Sequence, residues 1–435
     1  MTPGRRATVV WGVAVAAYVV AVLHRASFGV AGLEATERFG VSATVLSTFV
    51  VVQLAVYAAM QIPVGVLLDR YGSRVLIASG AALMAVGQLL LALATDLPLA
   101  YVARVLIGTG DACTYISVVR LIVLWFPAGR VPLMTQITGL LGQLGQLAAA
   151  VPLVAVLHLA GWRPAFVGLA AVGVLATIAA VAGVRDSPRP LPALRHPVRA
   201  LLRATVRTPG TRLGFWSHAA SQFATNTFLL LWGFPFLTSA QGLSPAVAGT
   251  LFSVNVVAAM IAGPVIGTLT SRHPLRRSWM VLAITGVIAA VWLVVVALPR
   301  PAPLWLLVLL VVVLGAGGPG SVIGFDFART SNPPERSGTA NGVVNVGGFL
   351  FAVIAMLGIG VVLDLAVARG AQPLSLEAFR PAFAAMAVLW AVAVLGVIGS
   401  RRATRREMAG RGVVVPPMRE ALRRRRDQPL PRDDD

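Results

Sequence analysis

Two stretches place ionisable residues where nearly everything else is apolar. VLHRASFGVAG (22–32) carries His24 and Arg25, and RVLIGTGDACTYISVVRLIVLWF (104–126) carries Arg104, Asp111 and Arg120. A charge at the centre of an apolar helix costs ~2.5–3.5 kcal/mol even on the lenient insertion scale, so such residues need partners or a task. Arg104 and Asp111 lie about two helical turns apart on one face, with Gly108 between them. A guanidinium presents a planar fork that grips a carboxylate. Two arginines at similar depth with a carboxylate deeper in the wall can capture an anion and couple it to a proton. The same three residues can also form a static buried pair or triad. His24 is the side chain whose charge changes nearest neutral pH, so it is either a second proton carrier or a satisfied polar group. Arg120 stands near the end of its run, where its head can snorkel.

Composition says what must position these side chains. Of 435 residues, 57% are hydrophobic and 12% charged, and mean hydropathy is +0.82. A soluble domain carries about 25% charge. The solvent is therefore lipid, which restricts the backbone to helices or a closed barrel. Barrel strands alternate apolar and polar residues over about ten positions, whereas runs such as VLIASGAALMAVGQLLLALA (75–94) are continuous. A span needs roughly 20 apolar residues. The chain predicts spans over 8–32, 44–68, 75–95, 99–125, 132–158, 163–184, 213–238, 245–271, 277–298, 302–328, 338–366 and 377–400. The fold class expected is thus an all-α membrane protein of about 12 helices in two six-helix bundles. The N-terminus has the basic-then-apolar look of a signal peptide but no fitting cleavage site, and is read as a retained first helix. The single Cys113 rules out internal disulfides. Neither a metal site nor a cofactor is expected.

Every one of the 36 basic residues is an arginine, and the formal net charge is +20. Nucleic acid is not the expected partner, because these arginines fall between spans and on one side. They occupy 5–6, 70 and 74, 130, seven places in 185–212, 272–277, 329 and 336, and the tail. The positive-inside rule then puts both termini in the cytoplasm and the chain, multi-pass, in the plasma (inner cell) membrane. The domain reading is an N-terminal bundle 1–184, an Arg/Pro-rich cytoplasmic linker 185–212, a C-terminal bundle 213–400 and a disordered Arg-rich tail 401–435. The middle of the linker is either an amphipathic helix on the anionic leaflet or a solvated connection.

The halves echo each other. GVLLDRYGSR (65–74) ends the second span and GTLTSRHPLR (267–276) the eighth; GLLGQLG (139–145) resembles GVVNVGG (342–348), and PAGR (127–130) resembles PPER (333–336). Parallel repeats of a six-helix unit mark secondary transporters with a site between the halves. The pattern Gly65-x-x-x-Asp69-Arg70-x-Gly72-x-Arg74 resembles the loop motif of the major facilitator superfamily. In physical terms, Asp69 at a helix end can hold arginines and a facing helix N-terminus, whose dipole favours a carboxylate. That makes Gly65, Asp69, Arg70, Gly72 and Arg74 a candidate conformational latch.

Further segments resemble the anion:cation symporter, or organic-anion permease, branch. LHRASFGVAG is similar to its xDRxxxxVA pattern, and RVLIGTGDA (104–112) to RxxxGxxEA. WFPAGR (125–130), GWR (161–163) and NTFLLLWGFPFL (226–237) also match. The resemblance implies that Arg25 and Arg104 bind the anion and that Asp111 carries the coupling proton, with His24 standing where the branch has Asp. Amides within spans (Gln143, Gln146, Gln222, Asn226, Asn255 and Asn345) either contact substrate or join helices; Gln143, Asn226 and Asn345 are the substrate candidates. The second half has no comparable buried charge. The expected function is alternating-access transport of a small organic anion, by proton symport, by a monomer that meets anion, protons and lipid. Rival readings are a drug/proton antiporter, a nitrate/nitrite-type porter and, from another class, a non-transporting sensor or scaffold. No P-loop and no nucleophile–base pair are present, so neither an ATP-driven pump nor an enzyme is expected.

Overall fold

The computed structural model describes residues 3–40, 43–187, 198–410 and 412–413 of the chain. Among these residues every regular element is helical. The first half comprises α1 (Pro3–Val30), α2 (Gly32–Phe39), α3 (Ala43–Leu93), α4 (Leu97–Trp125), α5 (Val131–Ala148), α6 (Val154–Ala160) and α7 (Trp162–Gly183). A bridging α8 (Val198–Arg207) follows. The second half comprises α9 (Pro209–Thr227), α10 (Gly233–Pro235), α11 (Pro245–Arg272), α12 (Arg277–Ala297), α13 (Leu304–Gly315), α14 (Gly317–Ser331), α15 (Ser337–Ala368), α16 (Leu376–Ala384) and α17 (Met386–Gly410).

Nine stretches among the described residues are long and apolar enough to cross a membrane. One of them, Val51–Leu93, is two crossings, because Gly72 (φ 84°, ψ 169°) breaks the helix. Only glycine enters that region without strain. Two more crossings are helices interrupted by π turns: α5 to α6 through Ala149–Leu153, which contains Pro152, and α9 to Ala240 through Phe228–Trp232 and Phe236–Ala240. Among the described residues the total is twelve, so the start of α1 and the end of α17 lie on one face.

Small residues set the helix spacing. Gly80 and Gly110 lie against each other's backbone where α3 meets α4; close approach of this kind replaces the hydrophobic drive that lipid removes. In the first half α3 packs on α4 and α7, and α1 on α5; in the second, α9 packs on α14, α15 and α17. The halves meet along α3–α15 and α5–α11. These two seams are related by the repeat: Gly65 touches the start of α15 at Gly338, and Gly267 touches the start of α5 at Leu133 and Gln136.

Some boundaries differ from expectation. The last helix runs to Gly410, so 401–410 is helical and not part of a disordered tail; Ala, Arg and Glu are all strong helix formers. Residues 414–435 lie outside the described ones. In the linker, α8 buries Leu201 and Thr205 and exposes Arg199, Arg203 and Arg207, as an amphipathic helix should. Residues 188–197 lie outside the described ones. The arginines are also less one-sided than expected: Arg38, Arg163, Arg300, Arg369 and Arg380 sit at the far face. Two of them are tied to helix ends, Arg38 to the Ala94 carbonyl and Arg380 to that of Val296.

Candidate functional site

The charged residues of α1 and α4 meet inside the first bundle. Arg25 grips Asp111 with both arms of its fork, Nε–Oδ2 2.7 Å and Nη2–Oδ1 2.9 Å. Arg104, also buried, does not pair with Asp111. Seven residues along a helix is a rise of about 10 Å, so sharing a face does not bring the two into contact. Arg104 instead donates to the side-chain oxygen of Gln53 on α3 and lies over the ring of Phe28, 4.8 Å from its centroid. Its Nε and Nη1 have no hydrogen-bond partner among the described residues. Gly108 eases this placement: a Cβ there would sit 3.0 Å from the Gln53 carbonyl oxygen, a tight contact that α3 would have to yield to.

The site continues across the seam. The Arg25 guanidinium lies over the ring of Tyr57, 5.3 Å from its centroid. Asn345 of α15 donates to the Tyr57 hydroxyl (3.1 Å) and to Gln61 Oε1 (2.8 Å). Asn345 therefore joins the two halves directly beside the Arg25–Asp111 pair. Tyr115 of α4 meets Phe325 of α14 edge-on, with centroids 5.6 Å apart. His218 of α9 packs against the same Phe325 and donates from Nδ1 to the Ser321 carbonyl (3.1 Å).

The other candidates spread out. His24 is fully buried but faces α7, with Nε2 donating to the Leu169 carbonyl at 3.0 Å. It is not brought to Asp111. Asn226 accepts from Gln222, which accepts from Ser321, leaving the Asn226 amide nitrogen unpartnered among the described residues. Gln143 is exposed on α5 and lies outside this chain of contacts, as does Gln146. Asn255 ties α11 to the Val311 carbonyl of α13 and is helix glue. One expectation is corrected: the second half does hold a buried charge, Asp326 of α14, paired with Arg329 at 3.1 Å. Its partner three residues on makes it a local i,i+3 pair, and Arg277 of α12 bears on it as well.

Sequence reasoning missed Gln53, Tyr57, Gln61 and His218. The first three had a readable signal. Gln53, Tyr57, Gln61, Gly65 and Asp69 recur every four residues along α3. Each step of four advances about 40° beyond a full turn, so the row winds from α4 at Gln53 to α15 at Asp69. His218 carried no such pattern.

At the lower end of that row, the candidate latch is closed. Asp69 accepts from the Gly338 amide (2.7 Å), the Thr339 amide (2.6 Å) and the Thr339 hydroxyl (2.6 Å), capping α15. The arginine that faces it is Arg120 of α4, 3.6 Å away, which therefore does not simply snorkel. The motif arginines do not hold Asp69, contrary to expectation. Arg70 lies over Tyr71, and Arg74 binds the end of α7 through the Val181 carbonyl and through Asp186. Gly72 leaves room for the Asp186 carboxylate, and Gly65 for the Gly338 backbone. In the second half Ser271 takes the place of Asp69 and bonds back to its own helix at Gly267, so α5 has no such cap. The contact is one-sided, and it joins the halves at the face that bears the start of α1 and the end of α17.

Asp69→Asn is expected to loosen that contact. A carboxylate accepting from backbone amides contributes about 2 kcal/mol, or roughly thirtyfold in the open-to-closed ratio. Spin labels on α3 and α15 at the terminus-bearing face should show the separated state gaining population. Gly65→Val, which puts a side chain against Gly338 without changing charge, should do the same. Unchanged distances in both variants would remove the latch role.

The profile of the Major Facilitator Superfamily matches residues 14–234 and again 213–430. A relative from Agrobacterium vitis named for tartrate transport is 24% identical over 361 residues, 77% of this chain and 79% of that one. A relative from Cupriavidus necator named for sulfoacetate transport is 26% identical over 177 residues, and the match spans 41% of each chain. Among solved structures, a bacterial homologue of the human lysosomal transporter Spinster, inward-facing and unoccupied, superposes with a TM-score of 0.59 at 15% identity, covering 91% of this chain and 97% of that one. Two six-helix halves, a matching profile over both and the same overall fold lead to one conclusion: the chain belongs to the Major Facilitator Superfamily of membrane transporters.

Proposed function

We propose that the protein carries a small organic anion across the plasma membrane by alternating access, in symport with protons. The observation that carries this reading is Arg104: a guanidinium 1% exposed, with an amide as its polar partner and no carboxylate within ion-pairing distance among the described residues. A buried unpaired charge costs several kcal/mol, and an anionic substrate would supply the missing counter-charge. The names of the relatives, tartrate and sulfoacetate, describe small organic acids.

In this reading Asp111 and the substrate compete for Arg25. With Asp111 ionised, Arg25 is held by it. When Asp111 takes a proton, Arg25 is released and joins Arg104 on the substrate carboxylate. Tyr57, stacked on Arg25, and Asn345, bonded to the Tyr57 hydroxyl, carry the change to the seam between halves. The arginine-rich loops favour a cytoplasmic terminus-bearing face; reporter fusions within 185–212 and after residue 410 should both read cytoplasmic, and an external reading from either would reverse the orientation. The test of function is uptake by proteoliposomes of radiolabelled tartrate and sulfoacetate. An inward proton gradient should drive accumulation several-fold above equilibrium, collapsed by a protonophore. Equilibration without accumulation would refute coupling, and no uptake of any small organic acid would refute the substrate class.

A further inference from the structure

A cavity lined by arginines lies away from the Arg25–Arg104 site, at the terminus-bearing end of the second half. About 130 Å³ in volume, it is framed by the start of α12, the ends of α14 and α17, and Leu213 of α9. Three guanidiniums line it, Arg277, Arg401 and Arg405, against one carboxylate, Glu407. We infer that this cavity binds the phosphate headgroup of an anionic glycerophospholipid from the adjoining leaflet.

The arginines are held in place. Arg277 is buried, with Nε donating to the Pro274 carbonyl (2.7 Å) and Nη2 to the Thr330 hydroxyl (3.2 Å). Its guanidinium also lies over Phe327, 5.0 Å from the centroid. Arg401 lies over the ring of Trp279 at 4.4 Å, and its Nε is buried without a hydrogen-bond partner. Like charges crowd one another here: Arg405 and Arg402 bear on Arg401, and Arg276 bears on Arg405. Crowding of this kind calls for a counter-anion, and a phosphodiester meets several guanidiniums at once.

The surroundings favour a lipid as its source. Trp279 is 41% exposed and Leu275 44% exposed, beside the arginines. An exposed Trp next to Arg at the end of a span is the signature of the headgroup level. Above the cavity, α12 packs on α17, and Val287, Val388, Val392 and Leu395 present an exposed apolar flank on which acyl chains can lie. Basic pockets between helices on the cytoplasmic side are a recurrent way of holding such headgroups. The helical extension 401–410 gains a purpose from this, since it carries two of the three arginines beyond the last apolar turn.

The test is native mass spectrometry of the full-length protein in neutral detergent, offered phosphatidylglycerol and phosphatidylcholine in equal amounts. The wild type should retain phosphatidylglycerol at least about fivefold better, the effect of one arginine near a charged surface. Arg401→Gln/Arg405→Gln should lose the preference, while Arg369→Gln at the far face keeps it. Arg405→Gln alone should show a smaller loss and serves if the double variant does not fold. Equal retention of the two lipids by the wild type, or an unchanged preference in the Arg405 variants, overturns the assignment. Millimolar inorganic phosphate should not displace the lipid; full displacement would mark a free-phosphate site and overturn the lipid source. Neither result touches the transport reading, which rests on Arg104.

Discussion

Arg104→Met is expected to abolish anion binding while raising the melting temperature of the anion-free protein. The two effects have one cause. In the resting site Arg104 is a charge with no carboxylate in ion-pairing contact among the described residues: Gln53 gives it one oxygen and Phe28 a ring face, and two of its nitrogens have no partner. Removing a buried charge that lacks a counter-charge relieves desolvation, and apolar replacements of buried ionic groups are often stabilising. In the proposed bound state the same guanidinium faces the substrate carboxylate, and breaking a buried ion pair costs about 3–5 kcal/mol, a hundredfold or more in affinity. Arg104→Lys should rescue poorly, because a point-charge ammonium does not reproduce the fork. Gln53→Leu should cost less than either, since it removes a neutral partner. The measurements are affinity by isothermal titration with the organic acid that most stabilises the wild type, and thermal melting without it. A purely structural Arg104 predicts the reverse pattern: a lower melting temperature and an affinity that follows the remaining folded fraction.

The division between what could be read in the sequence and what could not follows the range of the contacts. Twelve crossings, two halves and the arginines between them were legible because lipid enforces long apolar runs and topology enforces the charge between them. Arg25, Arg104 and Asp111 stood out because charges in such runs are costly. Their pairing did not follow: a shared face on α4 suggested Arg104 with Asp111, whereas the short contact runs between helices, to Arg25. The latch shows the same division. Asp69 and the facing helix N-terminus could be anticipated from the helix dipole, but its cationic neighbour is Arg120, about fifty residues away, while Arg70 and Arg74 in its own loop serve Tyr71 and the end of α7. The row Gln53–Tyr57–Gln61–Gly65–Asp69 was present in the sequence as a period of four and was passed over because its first three members are neutral. It is this row that connects the Arg104 site to the latch.

Asp111→Asn separates binding from coupling. An amide in place of the carboxylate imitates the protonated state and cannot hold Arg25 as an ion pair. In the proposed cycle, protonation of Asp111 releases Arg25 to the anion, so wild-type affinity should rise as pH falls. In Asp111→Asn, Arg25 is free at every pH, so the affinity found for the wild type under acid conditions should persist under alkaline ones. Counterflow exchange of labelled for unlabelled substrate should survive, because it needs binding and reorientation but no net proton movement. Accumulation against a gradient should vanish, because nothing in the site then has to lose a proton to release the substrate. Arg25→Gln supplies the contrast. It leaves Asp111 buried without its cationic partner, so it should lose binding and also destabilise the fold, by about the 3–5 kcal/mol of a broken buried pair. Affinity against pH for the wild type and Asp111→Asn, with exchange and accumulation measured in the same vesicles, decides the matter. A pH profile that survives in Asp111→Asn would move the proton site elsewhere. Of the two buried histidines among the described residues, His218 would then be the next to test. It packs on Phe325 at the seam, whereas His24 faces α7 and is bonded to Leu169, away from the anion site.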